Sequence, residues 1–265
     1  MPLPRIAIAQ IAMHWTTTEN LAAILKAMTV AQARGAQLCC FSELAVTGFH
    51  RRIAEEALPE IVEPALAAVQ ARARALSLAV SVGVPTFGAT SIGEPGSGAR
   101  FITQVLIDEH GERVAAISKQ GLTDPEATFF ARGSARPVGV VQGLRCSAVI
   151  CREISDWTAI APTLPPGTVD LIVVPGALRQ DPDKPRSEPP PYVAEIQQLA
   201  VATRAFVVHT NWPNALNRPE ESLEGGGSNV AAPDGELLLR LPMREAGLGI
   251  FTLGARSFEW VVEGR

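Results

Sequence analysis

The chain has 265 residues, of which 47% are apolar and 19% charged, and its formal net charge is −4. This composition is ordinary for a globular enzyme with a substantial core, and a slightly acidic chain without a run of Lys or Arg argues against a nucleic-acid-binding face. No stretch reaches the roughly 20 apolar residues of a membrane span.

In the first half of the chain, strand patterns alternate with helix patterns. The predicted elements, in chain order, are a strand at 4–12, a helix from the cap residues 16–18 to Gly35, a strand at 36–43, a helix at 54–76, a strand at 78–85, a loop at 88–100 and a hairpin of strands 101–108 and 113–119. No charged segment precedes the first apolar run, so it indicates a buried strand and not a signal peptide.

In the second half, strand patterns dominate. The predicted elements are strands at 138–141 and 144–151, a short helix near 156–163, a strand at 170–175, a proline-rich loop at 179–191, a helix at 191–204, and strands at 205–211, 228–232, 236–241 and 247–253. The last of these is expected to be the final strand. The order of elements predicts one α/β domain over residues 1–265, with mixed sheets covered by helices.

All four cysteines lie in apolar, strand-like runs: Cys39, Cys40, Cys146 and Cys151. Disulfide frameworks are typical of small secreted domains, so this placement favours reduced thiols and a cytoplasmic protein.

Three chemically active side chains occur where apolar strands end. Glu43 ends the predicted strand 36–43, Lys119 ends the predicted strand 113–119, and Cys151 closes the strand 144–151. Ligand sites of α/β sheets tend to lie at such ends. Taken singly, each residue has a simpler explanation: an exposed glutamate, a surface lysine and a small buried hydrophobe.

The position of Cys151 predicts a reactive thiol. It precedes the predicted helix near 156–163, and the partial positive charge of a helix N-terminus favours a thiolate. Cys146 lies five residues earlier, and in an extended strand that odd separation would turn its side chain to the opposite face. We therefore expect Cys146 to be structural.

The order Glu, Lys, Cys resembles that of the nitrilase superfamily of carbon–nitrogen hydrolases. The matching residues extend over nearly the whole chain: Phe41-Ser42-Glu43-Leu44 with Thr47-Gly48-Phe49, Lys119 with Leu122, Glu126, Phe130 and Gly133, Val149-Ile150-Cys151 with Glu153, residues 169–175, residues 204–208 with Asn211, Gly227-Ser228, and Pro233-Asp234-Gly235. Each motif alone is loose, whereas the ordered set is specific.

The resemblance implies amide hydrolysis through a thioester on Cys151. Glu43 would act as the general base, and the Lys119 ammonium with the backbone N–H of Arg152 would hold the oxyanion. Glu126 would be a second active-site carboxylate that positions Lys119 or the substrate. Arg152, Glu153 and Gly176 are further candidates for binding the substrate or the oxyanion.

The segment after the nucleophile departs from the usual family pattern at Arg152 and lacks the proline that commonly follows. The Arg152 guanidinium could bind a substrate carboxylate in bidentate fashion, or it could pair with an acidic residue of the protein. Both interpretations stay open from sequence.

The resemblance further implies a four-layer α-β-β-α sandwich with two mixed β-sheets that dimerises through its helical layers. We expect a homodimer acting on a small amide or N-carbamoyl compound, with no cofactor and no metal, since His14, His50, His110 and His209 show no metal-ligand spacing.

Other functions remain open at this level: nitrile hydrolysis, acyl transfer from the same thioester, a cysteine–histidine hydrolase using His209, or a non-catalytic interaction protein on this fold.

Overall fold

Two mixed β-sheets form the centre of the fold, and helices cover their outer faces. The computed structural model describes residues 3–88, 98–180 and 187–263. Most of the predicted loop 88–100 and the middle of the predicted loop 179–191 lie outside the described residues.

The elements of the described residues follow the predicted order. The strands are β1 Arg5–Gln10, β2 Leu38–Phe41, β3 Ala79–Phe87, β4 Arg100–Ile107, β5 Arg113–Ser118, β6 Gly139–Val141, β7 Leu144–Ala148, β8 Leu171–Gly176, β9 Phe206–Asn211, β10 Asn229–Ala231, β11 Leu237–Arg240, β12 Gly247–Thr252 and β13 Glu259–Val262. The α-helices are α1 Thr17–Ala33, α2 Ile53–Glu56, α3 Pro59–Leu76, α4 Asp124–Ala127, α5 Trp157–Ile160 and α6 Pro191–Thr203. Three 3₁₀ helices span Cys151–Asp156, Ala161–Thr163 and Pro219–Glu224.

The structure differs from the predicted elements in several places. The helix expected at 54–76 is two helices, α2 and α3, because Pro59 begins the second and disfavours a helical conformation at Leu58 before it. Strand β13 follows the strand expected to be the last, and its pattern is too short and too exposed to predict. The segment 124–127, which lies between the predicted strands 113–119 and 138–141, forms α4 with a capping box from Thr123.

The strands pair into one sheet of seven strands, in the order β13-β12-β1-β2-β3-β4-β5, and one of six, in the order β11-β10-β9-β8-β7-β6. In the first, β1, β2 and β3 are parallel, and in the second β7, β8 and β9 are parallel. The remaining pairs in each sheet are antiparallel, so both sheets are mixed.

Three apolar clusters lie between successive layers. One joins α1 and α3 to the seven-stranded sheet, the second lies between the two sheets, and the third joins α6 to the six-stranded sheet. Three interfaces separate four layers, so the predicted α-β-β-α sandwich with two mixed sheets is confirmed. Among the described residues, no helix combines the length and the apolar character needed to cross a membrane.

Candidate active site

The site lies where strands of both sheets end. Glu43 follows β2 and Lys119 follows β5 in the seven-stranded sheet, and Cys151 follows β7 in the six-stranded sheet. The inter-sheet cluster contains Cys151 together with Leu44, Leu122 and other apolar neighbours of the charged residues. The fold thus brings the three sequence candidates to one place between the sheets.

A buried ion cluster forms the centre of the site. The Nζ atom of Lys119 donates to Oε1 of Glu43 at 2.7 Å and to Oε1 of Glu126 at 2.6 Å. The side chains of Lys119 and Glu43 are fully buried, and that of Glu126 is 6% exposed. Burying charges costs free energy unless they are paired, so a cluster with two carboxylates and one ammonium is retained against a considerable desolvation penalty.

The two carboxylates differ in how completely they are bonded. Oε2 of Glu126 accepts the backbone N–H of Thr123 at 2.8 Å, so both its oxygens have partners. Oε2 of Glu43 is buried and accepts no N–H or O–H group of the described residues, and the Cys151 thiol is the further hydrogen-bond donor that acts on the Glu43 carboxyl. A buried carboxylate beside a thiol is available to accept the thiol proton.

The charges in the cluster shift one another's pKa values. Burial alone would lower the pKa of Lys119, but Glu43, Cys151 and Glu126 outweigh it and raise that pKa above its ordinary value. Burial raises the pKa of the Glu43 carboxyl, and Lys119 only partly opposes this effect. Lys119 therefore stays an ammonium, while Glu43 is a stronger base than an exposed glutamate.

The expectation of a thiolate at Cys151 is wrong for the resting protein. Burial, followed by the charge of Glu43, raises the pKa of the Cys151 thiol to about 12, despite opposing effects of Lys119 and the backbone N–H of Ala177. The helix that begins at Cys151 is a 3₁₀ helix of six residues, so its terminus does not offset the desolvation. The thiol is protonated at neutral pH, and its activation requires a base.

The backbone is constrained at both sides of the site. Leu44, directly after Glu43, has φ +51°, and Cys151 has φ +54°, both in the left-handed region that non-glycine residues rarely adopt. Such strain persists only where the surrounding structure holds it, and it often occurs at functional sites. Gly83 packs against the first of these turns, where an added Cβ would lie 2.3 Å from the backbone nitrogen of Leu44.

Gly176, the last residue of β8, lies next to the nucleophile segment, because a Cβ added there would be 3.6 Å from Cα of Cys151. The following residue, Ala177, directs its backbone N–H towards the Cys151 sulfur. Asn211 fixes this turn by hydrogen bonds with the backbone N–H and C=O of Leu178, both at 2.9 Å. Sequence reasoning missed Ala177 and Leu178 because they act through backbone groups, which leave no side-chain signal.

Glu153 lies beside the site, but its oxygens face the protein and not a substrate. Its carboxylate accepts the backbone N–H groups of Gln120, Gly121 and Ile150 at 2.7–2.9 Å, and both terminal nitrogens of Arg136 at 3.1 Å. Burial alone would raise its pKa, but these donors lower it below its ordinary value. Instead of contributing a substrate ligand, Glu153 ties the segment after Lys119 to the segment before Cys151.

The side chain of Arg152 points to the protein surface. Its Nη2 atom lies 3.0 Å from Oδ2 of Asp156, and the two side chains are 39% and 49% exposed. Of the two interpretations left open by the sequence, the structure favours the ion pair with a protein acid.

Two other sequence interpretations are also settled by position. His209 lies on the face of β9 covered by α6, where its ring packs against Tyr192, its Nδ1 is bonded to Asn229, and burial lowers its pKa to about 3. Cys146 faces the same inter-sheet cluster as Cys151, against the expected opposite face. The alternation of faces continues from Cys146 to Ile150 and breaks at Cys151, where φ is +54°. The Cys146 thiol is fully buried, so the expectation that Cys146 is structural stands.

In the parts of the chain that the structure describes, no three His, Cys, Asp or Glu side chains are grouped closely enough to hold a metal ion.

The chain belongs to the carbon–nitrogen hydrolase family, whose sequence pattern matches residues 5–258. Solved structures of an amidase of the nitrilase superfamily from Nesterenkonia AN1 are similar to it. A cysteine-to-alanine variant of that amidase is 27% identical, with a TM-score of 0.77 over 95% of this chain and 91% of that chain.

Two further structures of the same amidase carry small amides. One, with butyramide bound, is 26% identical with a TM-score of 0.77 over 95% of this chain and 91% of that one. In the other, acrylamide has added to the active-site cysteine. That structure is 27% identical to this chain, with a TM-score of 0.76 over 94% of this chain and 93% of that one. A search among curated proteins gave no match.

Proposed function

We propose that the protein hydrolyses small amides or N-carbamoyl compounds through a thioester on Cys151. The observation that carries the proposal is the buried cluster in which Lys119 binds both Glu43 and Glu126 beside the Cys151 thiol. A cation, a base and a nucleophile at one buried point are what acyl transfer from an amide requires.

In the first half of the reaction, Oε2 of Glu43 takes the thiol proton while the sulfur attacks the substrate carbonyl carbon. The carbonyl oxygen becomes an oxyanion, which the Lys119 ammonium and the backbone N–H of Arg152 stabilise. When the tetrahedral intermediate collapses, protonated Glu43 gives its proton to the departing nitrogen. Ammonia or an amine leaves, and the acyl group remains on Cys151.

In the second half, Glu43 takes a proton from a water molecule that attacks the thioester carbonyl. The second tetrahedral intermediate uses the same oxyanion donors, and its collapse releases the carboxylic acid. The thiolate recovers the proton from Glu43, which restores the starting state. In this scheme Glu126 acts through Lys119, since it holds the ammonium in place and keeps it charged.

The similar amidase supports amides over nitriles as substrates, since its structures contain butyramide and an acrylamide adduct at the active-site cysteine. The test is a panel of primary amides, carbamoyl amines and nitriles assayed for ammonia release, with Cys151→Ala as the blank. We expect release from amides or carbamoyl amines that the variant abolishes. A folded wild-type protein that releases no ammonia from any compound would overturn the proposal.

Hydrolysis and acyl transfer are distinguished by the fate of the thioester. Wild-type protein is mixed with an amide in the presence and absence of added amines or alcohols, and the acyl products are identified by mass spectrometry. We expect the free acid to dominate in both cases. An acyl amine or ester as the main product would assign the site to acyl transfer.

We include a homodimer and a cytoplasmic location in the proposal. All four cysteines are free and buried, which supports a reducing compartment. Light scattering coupled to size-exclusion chromatography tests the homodimer, and cell fractionation tests the cytoplasmic location.

A further inference from the structure

An apolar cavity of about 210 Å³ lies beside the ion cluster. Its walls are mainly aromatic and aliphatic side chains: Leu44, Phe49, Ile53, Phe129 and Phe130. Phe129 and Phe130 pack edge to face at 4.9 Å between ring centroids, which gives one wall a fixed shape.

Four polar residues line the cavity, and each of them contacts the protein. The His50 ring uses Nε2 with the carbonyl oxygen of Thr47 and Nδ1 with the backbone N–H of Arg52. The Arg51 guanidinium lies over the Trp15 ring at 5.4 Å.

The two remaining polar residues of the lining accept hydrogen bonds from the protein. Both oxygens of Glu126 have donors, and Oδ1 of Asn217 accepts the backbone N–H of Arg51. A ligand in this cavity would therefore meet mainly hydrocarbon and aromatic surfaces, and the Arg51 guanidinium and the Asn217 amide nitrogen are the lining groups that form no hydrogen bond with the described residues. A hydrocarbon group suits such a lining.

The cavity borders the catalytic cluster at two residues. Glu126, whose side chain binds Lys119, is one of its lining residues, and Leu44, which directly follows Glu43, is another. Phe49, Ile53 and Phe129 also pack against the inter-sheet cluster that includes Cys151. A group in the cavity would therefore extend from a carbonyl held at the ion cluster.

We propose that this cavity binds the hydrocarbon part of the substrate's acyl group, so that the protein prefers amides of medium-chain or aryl-substituted acids to acetamide. The proposal rests on the amidase function proposed above. A cavity of roughly 150 Å³ is enough for a benzene molecule, so a larger one accepts a phenyl ring or an acyl tail of about five carbons. Each buried methylene contributes about 0.8 kcal/mol, so hexanamide should exceed acetamide in kcat/KM by on the order of 100-fold.

The test compares acetamide, hexanamide, phenylacetamide and N-pentylacetamide in the wild-type protein and in Ile53→Trp, which fills the cavity. We expect Ile53→Trp to lower the ratio of kcat/KM for hexanamide over acetamide by at least about tenfold. Val201→Trp, on the exposed face of α6, is the matched control and should leave the ratio unchanged. N-Pentylacetamide carries its hydrocarbon on the amine side, so equal preference for it, lost equally in Ile53→Trp, would overturn the assignment.

A binding measurement separates this inference from the proposed function. Titration calorimetry with Cys151→Ala should show tighter binding of hexanamide than of acetamide, and Ile53→Trp in that background should remove the difference. Binding without turnover in the wild type would reject the hydrolase function and keep the cavity assignment. Equal binding of the two amides would reject the cavity assignment.

Phe49→Ala guards against a folding defect in Ile53→Trp. It widens the same cavity, so it should move the preferred acyl group to a longer chain. An unchanged preference in a folded Phe49→Ala protein would also contradict the proposal.

Discussion

Two buried carboxylates flank Cys151 and behave differently. Glu153 accepts five hydrogen bonds, three from backbone N–H groups and two from Arg136, and its pKa is lowered. Glu43 binds Lys119 through one oxygen, has only the Cys151 thiol as a further donor to its carboxyl, and has a raised pKa. Both residues are 1% exposed, so burial does not explain the difference.

The donors that each carboxylate receives, together with the negative charge of Glu126 beside Glu43, explain the difference in pKa. A carboxylate that receives several hydrogen bonds is stabilised as an anion and cannot readily take a proton, whereas a buried one with few donors and an anionic neighbour is a base. Glu153 is therefore suited to hold two segments together, and Glu43 is suited to transfer protons. Exchanging each for glutamine should separate the two roles.

The largest effect is expected on catalysis from Glu43→Gln. The amide keeps the size of the side chain but cannot take the proton of a thiol whose pKa is about 12. We expect kcat/KM to fall by roughly 10³–10⁴-fold, while the free energy of unfolding changes by no more than about 1 kcal/mol. Steady-state kinetics with chemical denaturation checks both, and retained activity would show that Glu43 is not the base.

The reverse pattern is expected for Glu153→Gln, with the main loss in stability. The Arg136 side chain is only 4% exposed and would be left without its anionic partner. We expect a loss of about 3–5 kcal/mol in the free energy of unfolding. The double variant Glu153→Gln with Arg136→Met removes both charges and keeps an acceptor for the backbone N–H groups, so it should recover part of the loss. A Glu153→Gln protein as stable as the wild type would contradict this role.

A smaller effect concerns the pH dependence of catalysis. Glu43 must be ionised to act as a base, so kcat/KM should fall as the pH decreases through its pKa, and burial places that acidic limb above the ordinary value of 4.5. The negative charge of Glu126 raises the pKa of Glu43 further, so Glu126→Gln should move the limb to lower pH. The pH profile of kcat/KM measures this, and a limb that stays in place would mean that another group titrates.

Much of the fold and of the candidate site could be predicted from the sequence, because the order of motifs along the chain identifies a family and its fold. Glu43, Lys119 and Cys151 each stand at a strand end, and the parallel arrangement of strands brings such ends together. The break before Pro59 also had a local signal, since residues that precede proline avoid the helical conformation.

The remaining features depend on packing and have no such signal. Arg136 lies in an irregular segment, 17 residues before Glu153, and nothing in its surroundings predicts that the two pair. The protonated state of Cys151 depends on burial, which outweighs the favourable position at the start of a helix. The cavity combines residues from 44–53, 125–130 and 217, three segments that only the folded chain brings together.

The smallest effect is expected at Arg152, the neighbour of Cys151 whose role the sequence left open. Its guanidinium forms an exposed pair with Asp156, and such pairs contribute less than about 1 kcal/mol to stability. Arg152→Ala keeps the backbone N–H that is proposed to hold the oxyanion, so kcat/KM should change by no more than about threefold, and equally for neutral and acidic amides. A selective loss on acidic amides would instead assign the guanidinium to substrate binding, and it would mean that the pair with Asp156 opens when such a substrate binds.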